Sequence, residues 1–248
     1  SYVLSWINRS NDTREKIVFL QRPYNYDWTS MILENLDRSV SIAALPPFHW
    51  FDGCLIDLVK IGKRCRELNI ALVVDATQAI GAVPFHIDKI KPDFLACSAY
   101  KWLLCPYTLA FLYVSPRYQS GTPLEYHRWN HSNPSATITN YTYTEKFNVG
   151  ARRYDMGQVN NLINLPIAIS ALKQVINWKP KRIQEYLSPL IFEIGICAEE
   201  LGWSVVPEKY RAHHFIGIAP KTPLQKDFNL LLQKEKVFVS HRGDGLRV

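Results

Sequence analysis

No stretch of this 248-residue chain approaches the roughly eighteen uninterrupted apolar residues that a membrane-spanning helix needs, because Arg, Lys, Asp or Pro breaks every run. A membrane partner is therefore not expected. Cysteine is also scarce: there are five, at positions 54, 65, 97, 105 and 197, with no CxxC pair and no His/Cys ligand cluster. An odd, scattered set suits neither a closed disulfide framework nor a structural metal site, so the thiols read as reduced and the protein as cytoplasmic. Internal repeats and low-complexity tracts are missing. Ser1 to Asn8 lack a basic leader and a small-residue cleavage site and are not read as a signal peptide. Tyr2 to Ile7 reads instead as the end of a core helix cut from something longer. The formal charge of +7 has no concentrated patch behind it. Lys and Arg are spread over helix faces and loops, so no nucleic-acid partner is expected.

What is present is an ordinary globular balance, 47% hydrophobic and 21% charged, which argues for a folded core rather than disorder. Four short apolar runs, Lys16–Leu20, Val40–Leu45, Ile70–Val74 and Asp93–Cys97, are β-branched or aromatic enough to be buried strands. Helical spacing over Trp28–Leu36 and Leu55–Leu68 separates them, the alternation expected of βαβ units and a mostly parallel sheet. Thr108–Val114 follows too short a connection for a crossover helix and is expected to run antiparallel to its neighbour. Gly121–Asn148 has no periodicity and reads as a long functional or interfacial loop. Helical patterns return at Leu162–Trp178 and, after Pro180, as a bridge to Leu201. Trp203–Val206, His213–Ala219, a helix near Leu224–Lys234, Val237–Ser240 and a final strand at Leu246–Val248 suit a small α+β unit. The expected division is thus a large α/β domain over 1–178 and a partial small domain over 179–248.

Asp75 directly follows a buried strand, at the carboxyl edge where open α/β sheets bind ligands. Lys101 follows the next strand, in Ser98-Ala-Tyr100-Lys101-Trp102. A lysine and an aspartate at one sheet edge are the pair that pyridoxal phosphate requires: an amine for its aldehyde and an anion for its ring nitrogen. Burial near other cationic groups would help the lysine lose its proton. Taken singly, Asp75 equally suits a turn cap and Lys101 a solvated strand-end lysine.

The ordered blocks Asp75-Ala-Thr-Gln78-Ala-Ile-Gly81, Pro92-Asp93-Phe94 and Ser98-Ala-Tyr100-Lys101-Trp102-Leu-Leu-Cys105-Pro106-Tyr107 resemble the aspartate-x-x-glutamine and serine-x-x-lysine blocks of class V aminotransferase-like proteins. That group includes cysteine desulfurases, kynureninase and isopenicillin N epimerase. His49-Trp50-Phe51-Asp52-Gly53 and the block from Gly150 to Asn161 extend the resemblance over nearly the whole chain. It implies an α/β protein of the pyridoxal 5'-phosphate-dependent transferase fold, type I, with a mostly parallel sheet flanked by helices and part of a small C-terminal α+β domain. It further implies an amino-acid substrate and a homodimer with a shared active site. Position by position, it implies that Lys101 carries the cofactor as a Schiff base and that Asp75 partners the ring nitrogen. Gln78 would donate near the ring hydroxyl, and Ser98 and Tyr100 would lie at the phosphate. His49 and Trp50 would lie near the ring, although packing or turn closure also accounts for them. Gln158 and Asn160 would reach the neighbouring subunit's phosphate, although capping of the following helix also accounts for them. Arg247 would hold the substrate carboxylate by its planar fork, with Arg242 a weaker candidate.

The chain departs from the family pattern in four respects. Trp50 stands where many relatives carry asparagine, and Cys105-Pro106 replaces glycine-proline, which makes that turn less permissive. Residues 240–247 contain no cysteine where desulfurases carry their nucleophile, so desulfurase activity is not expected. Cys97 and Cys105 are expected to be buried, unreactive thiols. Family members also extend further at both ends, including a helix start that cups the phosphate. Transamination, epimerisation and side-chain cleavage remain open, and so does a non-catalytic scaffold that keeps the fold and the dimer surface.

Overall fold

The computed structural model describes residues 2–12, 15–132, 145–225, 227–243 and 245–248. Helix α1 (Tyr2–Asp12) and helix α2 (Trp28–Glu34) precede strand β1 (Ile42–Leu45). Helix α2 begins where the Asp27 carboxylate accepts from the Ser30 N–H at 3.0 Å. Asp57 starts helix α3 (Leu58–Leu68) in the same way, accepting from the N–H groups of Val59 and Lys60, and Asn69 ends it in the left-handed conformation. Strand β2 (Ala71–Asp75), the short helix α4 (Ile87–Ile90), strand β3 (Phe94–Ser98) and strand β4 (Ala110–Val114) follow.

The first sheet has the order β1-β2-β3-β4. Strands β1, β2 and β3 are parallel, whereas β4 returns antiparallel to β3 with Phe94 opposite Val114 and Ser98 opposite Ala110. Pairing of Asp75 with Ala96 brings the carboxyl ends of β2 and β3 out side by side, and that register is what joins the two motif blocks. Ile32, Ile61, Leu72, Val74, Leu95 and Ala168 close the core between this sheet and its helices. Full burial of each of these Ile, Leu and Val side chains contributes about 1.5–3 kcal/mol.

Helix α5 (Asn164–Trp178) and helix α6 (Pro180–Glu200) meet at Lys179, whose positive φ of 66° turns the chain before Pro180 opens the second helix. Strands β5 (Ser204–Val205) and β6 (Gly217–Ala219), helix α7 (Phe228–Lys234), and strands β7 (Ser240–Arg242) and β8 (Gly245–Arg247) complete the described chain. The second sheet is antiparallel throughout, in the order β5-β6-β8-β7. It packs on α6 through Ile191, Ala198, Val205 and Ile216.

The alternation, the parallel register and the antiparallel β4 match the sequence expectations. Lys16–Leu20 does not: it forms no strand. Val18 and Phe19 are exposed and only Leu20 packs on the core, so the run has β-forming residues but no sheet neighbour among the described residues. The strand expected at Val237–Ser240 forms later, at Ser240–Arg242. Residues 133–144 of the expected long loop lie outside the described residues. Its described flanks are joined where His131 bridges Phe147.

Candidate active site

Two hydrogen bonds hold the ends of β2 and β3 together, and a third closes the turn after β2. The Ala76 N–H donates to the Ala96 carbonyl at 2.8 Å, and the Ser98 N–H donates to the Thr77 hydroxyl at 3.1 Å. The Asp75 carboxylate accepts from the Thr77 N–H at 3.0 Å, so this aspartate does cap its turn through one oxygen. The turn then crosses Trp102 so closely that a Cβ on Gly81 would lie 2.5 Å from the Trp102 carbonyl oxygen, and Gly81 has a φ of +97°. Only glycine satisfies both constraints.

After β3, the Ala99 N–H donates to Leu109 and the Cys105 N–H to Ala99, closing a tight loop that presents Lys101. The strain expected at Cys105 falls on its neighbours. Leu104 and Thr108 take φ of 57° and 73°, and a β-branched residue such as Thr108 rarely adopts that conformation. Cys97 and Cys105 are buried, and burial pushes the Cys97 thiol up to about 11, which makes it a packing group rather than a nucleophile.

Lys101 is half-buried. Burial and the charge of Arg247 hold its amine below the ordinary lysine value, Arg242 adds to that, and the Asp75 carboxylate opposes it. Lys101, Asp75, Arg247 and Arg242 therefore share one electrostatic field, although they come from both sheets. The Lys101 amine also lies 5.9 Å from the centre of the Tyr100 ring, which stacks on Tyr107 at 4.7 Å.

The segment 48–55 carries the second sheet to this edge. Arg247 donates to the Trp50 carbonyl at 2.9 Å, the Ala212 N–H donates to Gly53, and the Leu55 N–H donates to Tyr210. A Cβ on Gly217 would lie 2.6 Å from the Asp52 Cα, so the two backbones meet in direct contact. His49 closes its own turn: Nδ1 lies 2.8 Å from the Asp52 carboxylate, and its ring stacks on Trp28. Asp52 is 2% exposed and also pairs with Arg22 at 2.8 Å. Burial works against its charge, but the His49 hydrogen bond and Arg22 hold its carboxyl below the usual range. Trp50 is exposed.

Gln78 is held at two points, its side-chain oxygen accepting from the Trp102 indole N–H at 3.1 Å and its carbonyl facing His214 Nε2 at 2.6 Å. His214 is buried against Phe48, Trp102 and Phe215, and burial pushes its pKa down to about 4.

Electrostatic interaction thus joins Asp75, Lys101, Tyr100 and Arg247, Gln78 and Ser98 are tied to the same sheet edge through Trp102 and Thr77, and the Trp50 backbone is joined through Arg247. Gln158 and Asn160 are not: both are exposed, and among the described residues no bond links them to Lys101 or Asp75. Neither caps α5, because Asn161 does so by accepting from the N–H groups of Ile163 and Asn164. Thr77, Asp52, Trp102 and His214 were not singled out from the sequence. The position of Trp102 beside Lys101 was the one available signal, since His214 reaches the site only through tertiary packing.

A family model described as aminotransferase class-V matches residues 1–179. The chain belongs to that family. It is 29% identical over 155 residues to hercynylcysteine sulfoxide lyase of Schizosaccharomyces pombe, a match covering 61% of this chain and 38% of the lyase. Its fold is that of an apo cysteine desulfurase from Thermococcus onnurineus NA1, with a TM-score of 0.79 at 17% identity, over 99% of this chain and 64% of the desulfurase. A cystine C–S lyase solved with its reaction product cysteine persulfide superposes with a TM-score of 0.81 at 14% identity, over 99% of this chain and 67% of the lyase. This chain therefore spans well under half of its yeast relative and less than two thirds of the Thermococcus enzyme.

Proposed function

We propose that this chain carries cofactor-binding machinery of a pyridoxal-phosphate-dependent enzyme that cleaves a carbon–sulfur bond in an amino-acid side chain. The observation that carries the reading is Lys101: an amine kept below the ordinary lysine value by burial and Arg247, sharing its electrostatic field with Asp75 from the adjacent strand. A neutral Lys101 amine would hold the cofactor through its aldehyde and would serve as the base for the substrate α-proton. When bound, the cofactor supplies an electron sink conjugated to that carbon. The Asp75 oxygen that the Thr77 N–H leaves over would hold a proton on the ring nitrogen. Gln78 would donate to the ring oxygen, Ser98 and Tyr100 would hold the phosphate, His49 and Trp50 would hold the ring, and Arg247 would take the substrate carboxylate.

Carbon–sulfur cleavage is supported by the names of the relatives, two of which are lyases acting on sulfur compounds. A missing cysteine at residues 240–247 does not set this chain apart from desulfurases. One of them shares its fold, and the relatives extend beyond it in length. The five free thiols fit a reducing, cytoplasmic setting, and no described helix is long and apolar enough to cross a membrane. A homodimer is supported by the exposed apolar run around Gln158 and Asn160, where Val159, Leu162, Ile163 and Ile167 are all exposed.

Purified protein mixed with pyridoxal phosphate is expected to gain a visible absorbance band that borohydride fixes onto Lys101 and that Lys101→Ala abolishes. A panel of cysteine, cystine and cysteine sulfoxides, followed by sulfide and keto-acid release, then identifies the substrate. Folded wild-type protein that stays colourless with excess cofactor would instead support the scaffold reading.

A further inference from the structure

We infer that Trp102 and His214 are positioning residues that clamp Gln78 so that its amide NH2 is the end left free for the cofactor. This rests on the cofactor reading above. An amide side chain can present either its oxygen or its nitrogen, and the two look nearly alike in shape. The indole N–H removes that ambiguity because it is a donor with no acceptor capacity. Its partner at 3.1 Å must be the Gln78 oxygen, so the NH2 points elsewhere, and nothing among the described residues accepts from it. A bound phenolate-type oxygen needs a donor at that place.

The second point of the clamp acts on the backbone. His214 Nε2 lies 2.6 Å from the Gln78 carbonyl, which accepts only if that nitrogen carries the proton, fixing the tautomer. Nδ1 is then bare, and it is buried without a partner. A buried acceptor left empty costs stability. The fold accepts that cost in holding a ring wedged edge-on between Phe48 and Trp102, at 4.9 and 5.0 Å. One imidazole thus touches both the backbone of Gln78 and the indole that orients its side chain. Because His214 lies between β5 and β6 of the second sheet, the clamp ties that sheet to the amide.

Three variants test the clamp with two measurements, the cofactor dissociation constant from the visible band and the hydrogen–deuterium exchange of the Trp102 indole N–H in cofactor-free protein. Trp102→Phe keeps a ring and removes the donor, and cofactor binding is expected to weaken about fivefold, the loss typical of one hydrogen bond. Gln78→Glu keeps an acceptor for the indole but has no NH2. Its indole N–H should stay slow to exchange while binding weakens at least as much. His214→Phe removes the donor to the carbonyl and should weaken binding by about threefold. Packing alone predicts that Trp102→Phe binds as tightly as wild type, and that result overturns the clamp. Should Trp102→Phe fail to fold, unchanged affinity or fast indole exchange in Gln78→Glu overturns it equally. A colourless wild type overturns the cofactor reading and the clamp together, whereas a normal wild-type band with unchanged variants overturns the clamp alone.

Discussion

The sheet edge from Asp75 to Lys101 and the segment from Gly157 to Ile169 both carry residues that the family resemblance assigns to one site, yet they are built in opposite ways. The edge is internally closed: Thr77 to Ser98, Ala76 to Ala96, Trp102 to Gln78 and His214 to Gln78 are all bonds within the chain. The segment is externally open, with Gln158 at a φ of 60° and Leu162 and Ile163 84% and 77% exposed. Helix α5 itself buries only Ala168 and Val175. The contrast teaches that the candidate site residues at the sheet edge are fixed by bonds within this chain's own core, whereas the segment around Gln158 and Asn160 leaves its apolar side chains exposed.

Breaking the open side should give the largest effect. Placing charge on it with Leu162→Asp and Ile163→Asp together is expected to weaken self-association more than about a thousandfold, because two carboxylates would be desolvated without partners. Sedimentation velocity against concentration reads this, with far-UV circular dichroism expected to stay unchanged. A wild type that is monomeric at every concentration would show that something other than a second copy covers this face.

On the closed side the largest expected effect belongs to His214. Its folded value of about 4 lies below the ordinary 6.5, so the unfolded chain takes up a proton first as pH falls. Stability supplied at neutral pH is therefore lost between about pH 6.5 and pH 4, on the order of 3 kcal/mol. Urea midpoints at the two ends of that window should differ strongly in wild type and much less in His214→Phe. Equal slopes in both proteins would remove His214 from the account of acid sensitivity.

Glycine substitutions sharpen the comparison by one further step. Gly81 and Gly202 both have positive φ, at 97° and 78°, but a Cβ would strike the Trp102 carbonyl at the first and meet nothing within 4 Å at the second. Gly202→Ala should cost about 1 kcal/mol from backbone strain alone. Gly81→Ala should cost up to about 3 kcal/mol, and it should also weaken the cofactor band by displacing Trp102. Matching urea midpoints for the two variants would mean that the close approach at Gly81 is relieved without consequence.

Much of this was legible in the sequence for a stated reason. A mostly parallel sheet with an antiparallel last strand followed from buried runs separated by helical spacing, and the placement of Asp75 and Lys101 just after neighbouring strands followed from two motif blocks. Lys16–Leu20 misled because β-branched composition does not say whether a neighbour is there to pair with. His214 was invisible because its partner Gln78 is 136 residues away, whereas Asp52 stood inside a quoted block and only its burial and its ion pair with Arg22 lay beyond sequence reading. Strain after the lysine was foreseen at Cys105 but shifted to Leu104 and Thr108, since a loop distributes its dihedrals by closure and not by the position of a lost glycine.

The smallest expected effect lies where the second sheet meets the closed edge. Arg247 lowers the Lys101 value by placing a cation beside an ammonium, so removing that charge makes the protonated amine easier to keep. In Arg247→Gln the Lys101 value therefore rises toward that of an ordinary lysine, and fewer amines are neutral at pH 7. Cofactor capture should slow by less than about fivefold, because part-exposed charges couple by under about 1 kcal/mol. Its rate profile should move to higher pH, and the slowing should disappear in alkaline buffer where Lys101 is deprotonated in both proteins. Stopped-flow growth of the visible band across that pH range decides between this and a lost packing contact, which would slow capture equally at every pH. Because Arg247 also holds the Trp50 carbonyl, a uniform slowing would assign its main role to joining the two sheets.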